Sequence, residues 1–166
     1  MAAARRIATL PSFLLGVGLG GFVDGILLHQ VLQWHHMISD TSGNPMTTLD
    51  GLEANTLADG FFHAATWIVV AVASTLTVRA WQRGELAPPW RAHAGLLLAG
   101  WGAFNLLDGA VNHHLLGVHH VRDDLGGPLA WDLGFLALGL LQLVLGLALA
   151  RGVSSAAAPG SAPSRT

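Results

Sequence analysis

The sequence predicts an all-α fold: a four-helix transmembrane bundle made of two duplicated helix pairs, with a pseudo-twofold axis along the membrane normal. Three observations lead there. Apolar residues fill 52% of the 166 positions and charged residues 11%, and the mean hydropathy is +0.51, a composition whose natural solvent is lipid. Four stretches, 10–37, 57–80, 94–121 and 128–150, are each long enough to cross about 30 Å of hydrocarbon at about 1.5 Å per residue. Finally, Gly16-x-Gly18-x5-Asp24-Gly25-x3-His29-x5-His35-His36 returns as Gly100-x-Gly102-x5-Asp108-Gly109-x3-His113-x5-His119-His120. Two helices bring the chain back to the same side, so both copies share one orientation and their axis runs along the normal.

The first span follows Arg5 and Arg6 and mimics a signal peptide, but it contains Asp24 and lacks a small-residue cleavage site, so it reads as a retained helix. Gly16, Gly18, Gly20 and Gly21 suit close helix packing, as do Gly100 and Gly102 in the third span. The loop 38–56 holds a turn at Ser42-Gly43-Asn44-Pro45, and Asp50-x-x-Glu53 resembles a capping box that would start the second helix early. This loop is acidic and would serve as a lid. In the second span Asp59-x-x-Phe62 corresponds to Asp132-x-x-Phe135 in the fourth. Between the second and third spans, Glu85-Leu86-Ala87-Pro88-Pro89-Trp90 breaks the helix, and Trp90 with Trp81 suits an interfacial anchor. A short loop, 122–127, leads to the fourth span. One domain therefore covers 1–151, and the tail 152–166, built mainly of Ala, Ser, Pro and Gly, reads as disordered.

Arginines set the orientation. Arg5, Arg6, Arg79, Arg83, Arg91, Arg151 and Arg165 flank one side, and Arg122 alone lies on the other, which predicts that both termini are cytoplasmic. The chain has no Cys, Lys or Tyr, which excludes thiolate metal sites, disulfides, Schiff bases and tyrosyl chemistry. No nucleophile elbow, phosphate loop or dinucleotide fingerprint is present.

Histidine and aspartate carry what chemistry remains. In hydrocarbon they are costly unless they pair, line a wet cavity or bind a metal. Counting along α-helical spans puts Asp24 and Asp108 near the bilayer centre and His29, His113 and His63 about 8 Å toward the outside, on three different helices. Asp132 and Asp59 come out roughly 10 and 14 Å from the centre on the same side. His35, His36, His119 and His120 form a higher tier at the interface, as an entrance or second site. At roughly 100° per residue His29 shares a stripe with His36, and Asp24 one with His35; His114 points away from both. Three His and a carboxylate suit zinc, iron, copper(II) or manganese. The expected ligands are thus His29, His63 and His113 with Asp132 before Asp59. For Asp24 and Asp108 the open roles are a shared-proton dyad, hydrogen bonding to neighbours such as Asn105 and Asn112, or support of a ligand.

The run Gly21-Phe22-Val23-Asp24-Gly25-Ile26-Leu27-Leu28-His29-Gln30-Val31-Leu32-Gln33-Trp34-His35-His36-Met37, with Asp59-Gly60-Phe61-Phe62-His63, Asp108-Gly109-x3-His113-His114 and Trp131-Asp132-Leu133-Gly134-Phe135, resembles the bacterial domain-of-unknown-function family numbered 2243. The resemblance covers about residues 8–150 and implies a four-helix inner-membrane protein without implying an activity. The residues themselves suggest a metal-binding membrane protein with its site in the outer leaflet, for metal handling or assembly of a respiratory metalloenzyme. With no Cys and three Met, soft copper(I) is disfavoured and copper(II), zinc and iron stay open. One alternative is a haem b electron carrier with His29 and His113, or His36 and His120, as axial ligands; the tiers, about 10 Å apart, leave room for one haem at most. Another is a metal-dependent membrane hydrolase or oxidase, with Asp59 as general base. The lipid bilayer is the expected partner, with another membrane protein beside it and no nucleic acid.

Overall fold

The computed structural model describes residues 6–151. Four helices are long and apolar enough to cross a membrane: Leu10–Val31, Leu49–Gln82, Trp90–Leu115 and Leu129–Ala150. We number the α-helical parts α1 (Leu10–Val23), α2 (Leu49–Gln82), α3 (Trp90–Asp108) and α4 (Leu129–Ala150). The tail 152–166 and Arg5 lie outside the described residues.

The helices form a row rather than a closed square. α1 and α3 pack together in the middle, α2 packs on α1, and α4 packs on α3; among the described residues the α2 and α4 backbones do not meet. Glycines set the central crossing. A Cβ on Gly16 would stand 2.1 Å from the Leu97 carbonyl oxygen, and one on Gly100 2.0 Å from that of Phe13. Only residues without side chains allow backbones that close. Gly18 admits Val70 and the Thr66 carbonyl of α2, and Gly102 admits the Leu143 amide and Gly139 carbonyl of α4.

Burial is inverted relative to a water-soluble domain. The largest fully buried side chains are His29, His35, His113, His119, Asn55, Asp59 and Asp132, while Leu, Val, Ile, Phe and Trp cover the outside. Lipid accepts the apolar exterior, and the polar groups must find partners within the protein.

Two elements differ from the sequence-based expectation. The second helix begins at Leu49, and its N-cap is Thr48, whose hydroxyl accepts from Gly51 N–H, rather than a box at Asp50 and Glu53. The first and third spans do not continue as α-helix through their His pairs. Asp24–Val31 and Gly109–Leu115 are π-helical, and both then unwind, with Leu32 N–H bonded to Leu27 O and Leu116 N–H to Val111 O. Gln33 (φ 50°) and Gly117 (φ 56°) take left-handed conformations that turn the chain back toward the bundle.

At the opposite end Ala8 and Leu86 tie the N-terminal segment to the loop between α2 and α3, and Trp81 and Trp90 are exposed there, as an interfacial anchor requires. His93 on α3 bonds Ser12 on α1 at this end, 2.8 Å apart.

Candidate metal centre

The π-helical segments explain how the first pair of site residues meets. Asp24 and His29 are five apart, as are Asp108 and His113. In an α-helix such residues diverge by roughly 140°, but i→i+5 closure brings them onto one face. Asp24 Oδ2 lies 3.2 Å from His29 Nε2 and Asp108 Oδ2 lies 3.2 Å from His113 Nε2. The stripes expected from uniform α-helix, Asp24 with His35 and His29 with His36, are therefore replaced.

The reversal at Gln33 and Gly117 brings in the second pair. Extrapolated α-helix placed His35 and His119 in a tier above His29 and His113. They fold back instead among those rings, with centroids 4.5 Å apart for His29–His35, 4.8 Å for His113–His119 and 4.7 Å for His35–His119, the last two rings being almost parallel. Four imidazoles thus share one buried space. His29, His35 and His119 form one group able to hold a metal ion, and Asp108, His113 and His119 another, all ligand atoms of each lying within 4.8 Å of one another.

Outside this space three of the four rings donate to an acceptor and the fourth faces a carboxylate. His29 Nδ1 donates to Asp59 Oδ1 at 2.8 Å, and His113 Nδ1 faces Asp132 Oδ1 at 3.2 Å. His35 Nδ1 donates to the Val121 carbonyl and His119 Nδ1 to the Met37 carbonyl, each at 3.0 Å, so the loop after each π-helical segment orients a ring from the other. A carbonyl only accepts, which fixes the Nδ1–H tautomer and leaves the Nε2 lone pair free. Burial, then the neighbouring His119 and His29 rings, hold His35 well below the ordinary imidazole value of 6.5, against the pull of its Val121 bond. His119 is lowered too, by burial first and against the attraction of Asp108. Both shifts favour the neutral ring, the form that binds metal.

Asp59 and Asp132 fasten these two loops to α2 and α4. Asp59 accepts from His29, from Gln30 at 2.8 Å, from His36 Nδ1 at 2.6 Å and from the Met37 amide at 2.9 Å. Asp132 accepts from His120 Nδ1 at 2.6 Å and the Val121 amide at 2.9 Å. His36 and His120 therefore bind these carboxylates, and His120 Nε2 also lies 3.4 Å from Asp40 on the outer loop. Above them Arg122 stacks on Trp34 and Trp131, 4.5 and 5.1 Å from their ring centres, while its guanidinium holds Asp124. Ser39 bonds the Asp123 carboxylate and closes the two loops on each other; burial raises the Asp123 carboxyl above its ordinary value.

His63 stands apart from both three-ligand groups. It lies on α2 against Gly25, Phe22 and Phe62, and Phe62 stacks on His29 at 5.4 Å. Asp108 accepts from Asn112 at 2.6 Å, and Asn105 bonds Gln142 on α4 instead of either aspartate. His114 is exposed.

Most of the polar side-chain atoms left buried without a hydrogen-bond partner cluster in the shared space: Nε2 of His29, His35, His113 and His119, both oxygens of Asp24 and Oδ2 of Asp108; His113 Nδ1, which faces Asp132, and His63 Nε2, beside Gly25, are the others. Orphaned groups of this kind are rare in folded proteins and point to an unrecorded ion or water.

Four lipid-length helices enclosing a His/Asp cluster define an integral membrane protein with a candidate metal centre. The chain belongs to the family described as Predicted membrane protein (DUF2243), whose model matches residues 11–153. No curated protein and no solved structure matches the chain.

Proposed function

We propose that this chain is a metal-binding protein of the bacterial inner membrane, holding transition-metal ions in the outer leaflet for metal handling or for assembly of a respiratory metalloenzyme. One observation carries the reading: four buried imidazoles turn their free Nε2 atoms into one space, while protein acceptors hold the Nδ1 side of three of them and a carboxylate faces that of the fourth. Metal-ligating histidines are oriented in this way. The donor set is nitrogen and oxygen, which suits copper(II), zinc or iron. Ring centroids 4.5 to 4.8 Å apart in three of the pairs leave no slot for a porphyrin, so the geometry favours bare ions over haem b.

The recurrence of each contact at the matching motif position, Asp24–His29 with Asp108–His113 and Asp59–His36 with Asp132–His120, supports the reading as two duplicated helix pairs. The outer-leaflet placement rests on Arg6, Arg79, Arg83 and Arg91, all exposed at the end away from the cluster, which assigns that end to the cytoplasm.

A specific observation favours the oxidase alternative as a second reading. A cavity of about 460 Å³, lined by Trp34, Trp101, Trp131, Phe135 and leucines, reaches Asp24. It offers a lipid-soluble molecule a route to the edge of the cluster.

Elemental analysis and an absorption spectrum of the detergent-purified protein test the primary reading. Stoichiometric copper, zinc or iron without a Soret band is expected, with the metal content reduced in His29→Ala. Protein that stays metal-free after incubation with each of these ions refutes it.

A further inference from the structure

We infer that the centre takes two divalent ions, one held by Asp108, His113 and His119 and the other by Asp24, His29 and His35. The inference rests on the metal-binding reading and extends it to the number of ions and the division of ligands between them.

Charge balance is the first argument. Asp24, Asp59, Asp108 and Asp132 are each at most 5% exposed, and the nearest arginine, Arg122, is outside the cluster and engaged by Asp124. Asp24 and Asp108 also leave buried carboxylate oxygens without a hydrogen-bond partner, so a divalent ion at each would supply both the missing partner and a compensating charge in a region where unpaired charge is expensive.

Ligand count is the second. Leaving aside His63, which stands apart, the orphaned atoms come from six residues, whereas a tetrahedral ion uses four ligands and a site with an open position three. Both three-ligand groups contain His119, yet its Nδ1 is committed to the Met37 carbonyl, so its single free nitrogen serves one ion. Assigning His119 to Asp108 and His113 leaves His29 and His35, with Asp24 3.2 Å from His29 Nε2, for the other. Each set then draws a His from one π-helical segment, the Asp at or just before its first residue, and a second His from the loop that follows it. The Asp108 set is already gathered within 4.8 Å and binds the tighter ion.

The test uses the full chain in detergent, stripped with a chelator and reloaded with zinc or with copper(II). Two zinc ions per chain are expected, released by a competing chelator in two steps, and the copper-loaded protein should show a spin-coupled rather than an isolated copper spectrum. His35→Ala should retain one ion. One ion per wild-type chain, or two magnetically isolated copper ions, overturns the two-ion centre while leaving metal binding intact; no ion at all removes both. If His35→Ala does not fold, the wild-type stoichiometry and copper spectrum decide the question alone.

Discussion

Asp59 offers the most informative single substitution, because the structure dictates how a replacement must sit. Its Oδ1 accepts from His29 Nδ1 and from the Met37 amide, and its Oδ2 from His36 Nδ1 and Gln30. In Asp59→Asn one of the two positions becomes an NH2 group. A backbone amide cannot reverse its role, so the new carbonyl stays with Met37 and His29. The NH2 then faces His36 and Gln30, which adapt by tautomer exchange and amide flip. His29 keeps its orientation and its free Nε2 but loses a charged partner. Partners of ligating histidines are worth 10- to 100-fold in affinity, so Asp59→Asn should weaken metal binding about tenfold, or about 1.4 kcal/mol. Asp59→Ala strands all four donors. It should weaken binding about 100-fold and destabilise the metal-free protein by about 3–5 kcal/mol, as when one partner of a buried pair is removed. Chelator competition reads the affinity, and thermal unfolding in detergent reads the stability separately. Wild-type affinity in Asp59→Ala would show that the carboxylate does not act through His29 and would refute this account.

Other expectations follow from single positions. Gly100→Leu should abolish folded protein in detergent, since its Cβ meets the Phe13 backbone, whereas Gly60→Ala, with open space around it, should be neutral or stabilising by up to about 1 kcal/mol; size-exclusion profiles separate the two. His63→Ala and His114→Ala should both keep the full metal content by elemental analysis, because neither ring belongs to the clustered groups. In the metal-free protein the ¹⁵N signals of His35 and His119 should remain those of neutral rings at about pH 5.5, where an ordinary imidazole is mostly charged. Lowered in the folded state, each contributes stability that is present above 6.5 and is lost as pH falls below it. Reporter fusions at Asn44 and after Arg151 should report opposite sides of the membrane.

Much of the fold was legible because lipid imposes simple rules. Span length and the small residues at Gly16 and Gly100 needed only counting. The repeated motif likewise picked out Asp24, His29, Asp108, His113 and the two later His pairs. The arrangement of these residues was not legible, and the reason is local. Depth and angle were taken from uniform α-helix, and in both copies the helix changes type at the motif's own Asp-Gly. A π-helical turn has no composition of its own, so nothing in Asp24-Gly25-Ile26-Leu27-Leu28-His29 distinguishes five-residue closure from four. The same extrapolation gave His63 the depth of His29 although its ring lies against Phe22 and Gly25. A weak signal did exist: Gly117 stands at the motif position of Gln33, which hinted at a left-handed turn before each His pair.

That turn also explains how the His/Asp cluster can form at all in a membrane. An α-helix running on through His35 would carry the ring toward the interface, where its polar nitrogens meet water and gain nothing from a metal. Ending the helix early frees carbonyls in a setting where unsatisfied backbone is costly, and the chain recovers that cost by crossing its two loops. Met37 and Val121 are the pivots: each gives its amide to an aspartate, Asp59 or Asp132, and its carbonyl to a histidine on the other loop. The left-handed residue is therefore the point at which the arrangement is most easily disturbed. A Cβ at Gly117 meets nothing within 4 Å, so Gly117→Ala tests its φ of 56° alone, at about 1–2 kcal/mol. Gln33→Gly should recover a similar amount less the extra chain entropy of glycine. Measured by thermal unfolding of the metal-free protein, the two substitutions should shift stability in opposite directions. If Gly117→Ala is without effect, the turn is not under strain and some other feature holds His119 in the cluster.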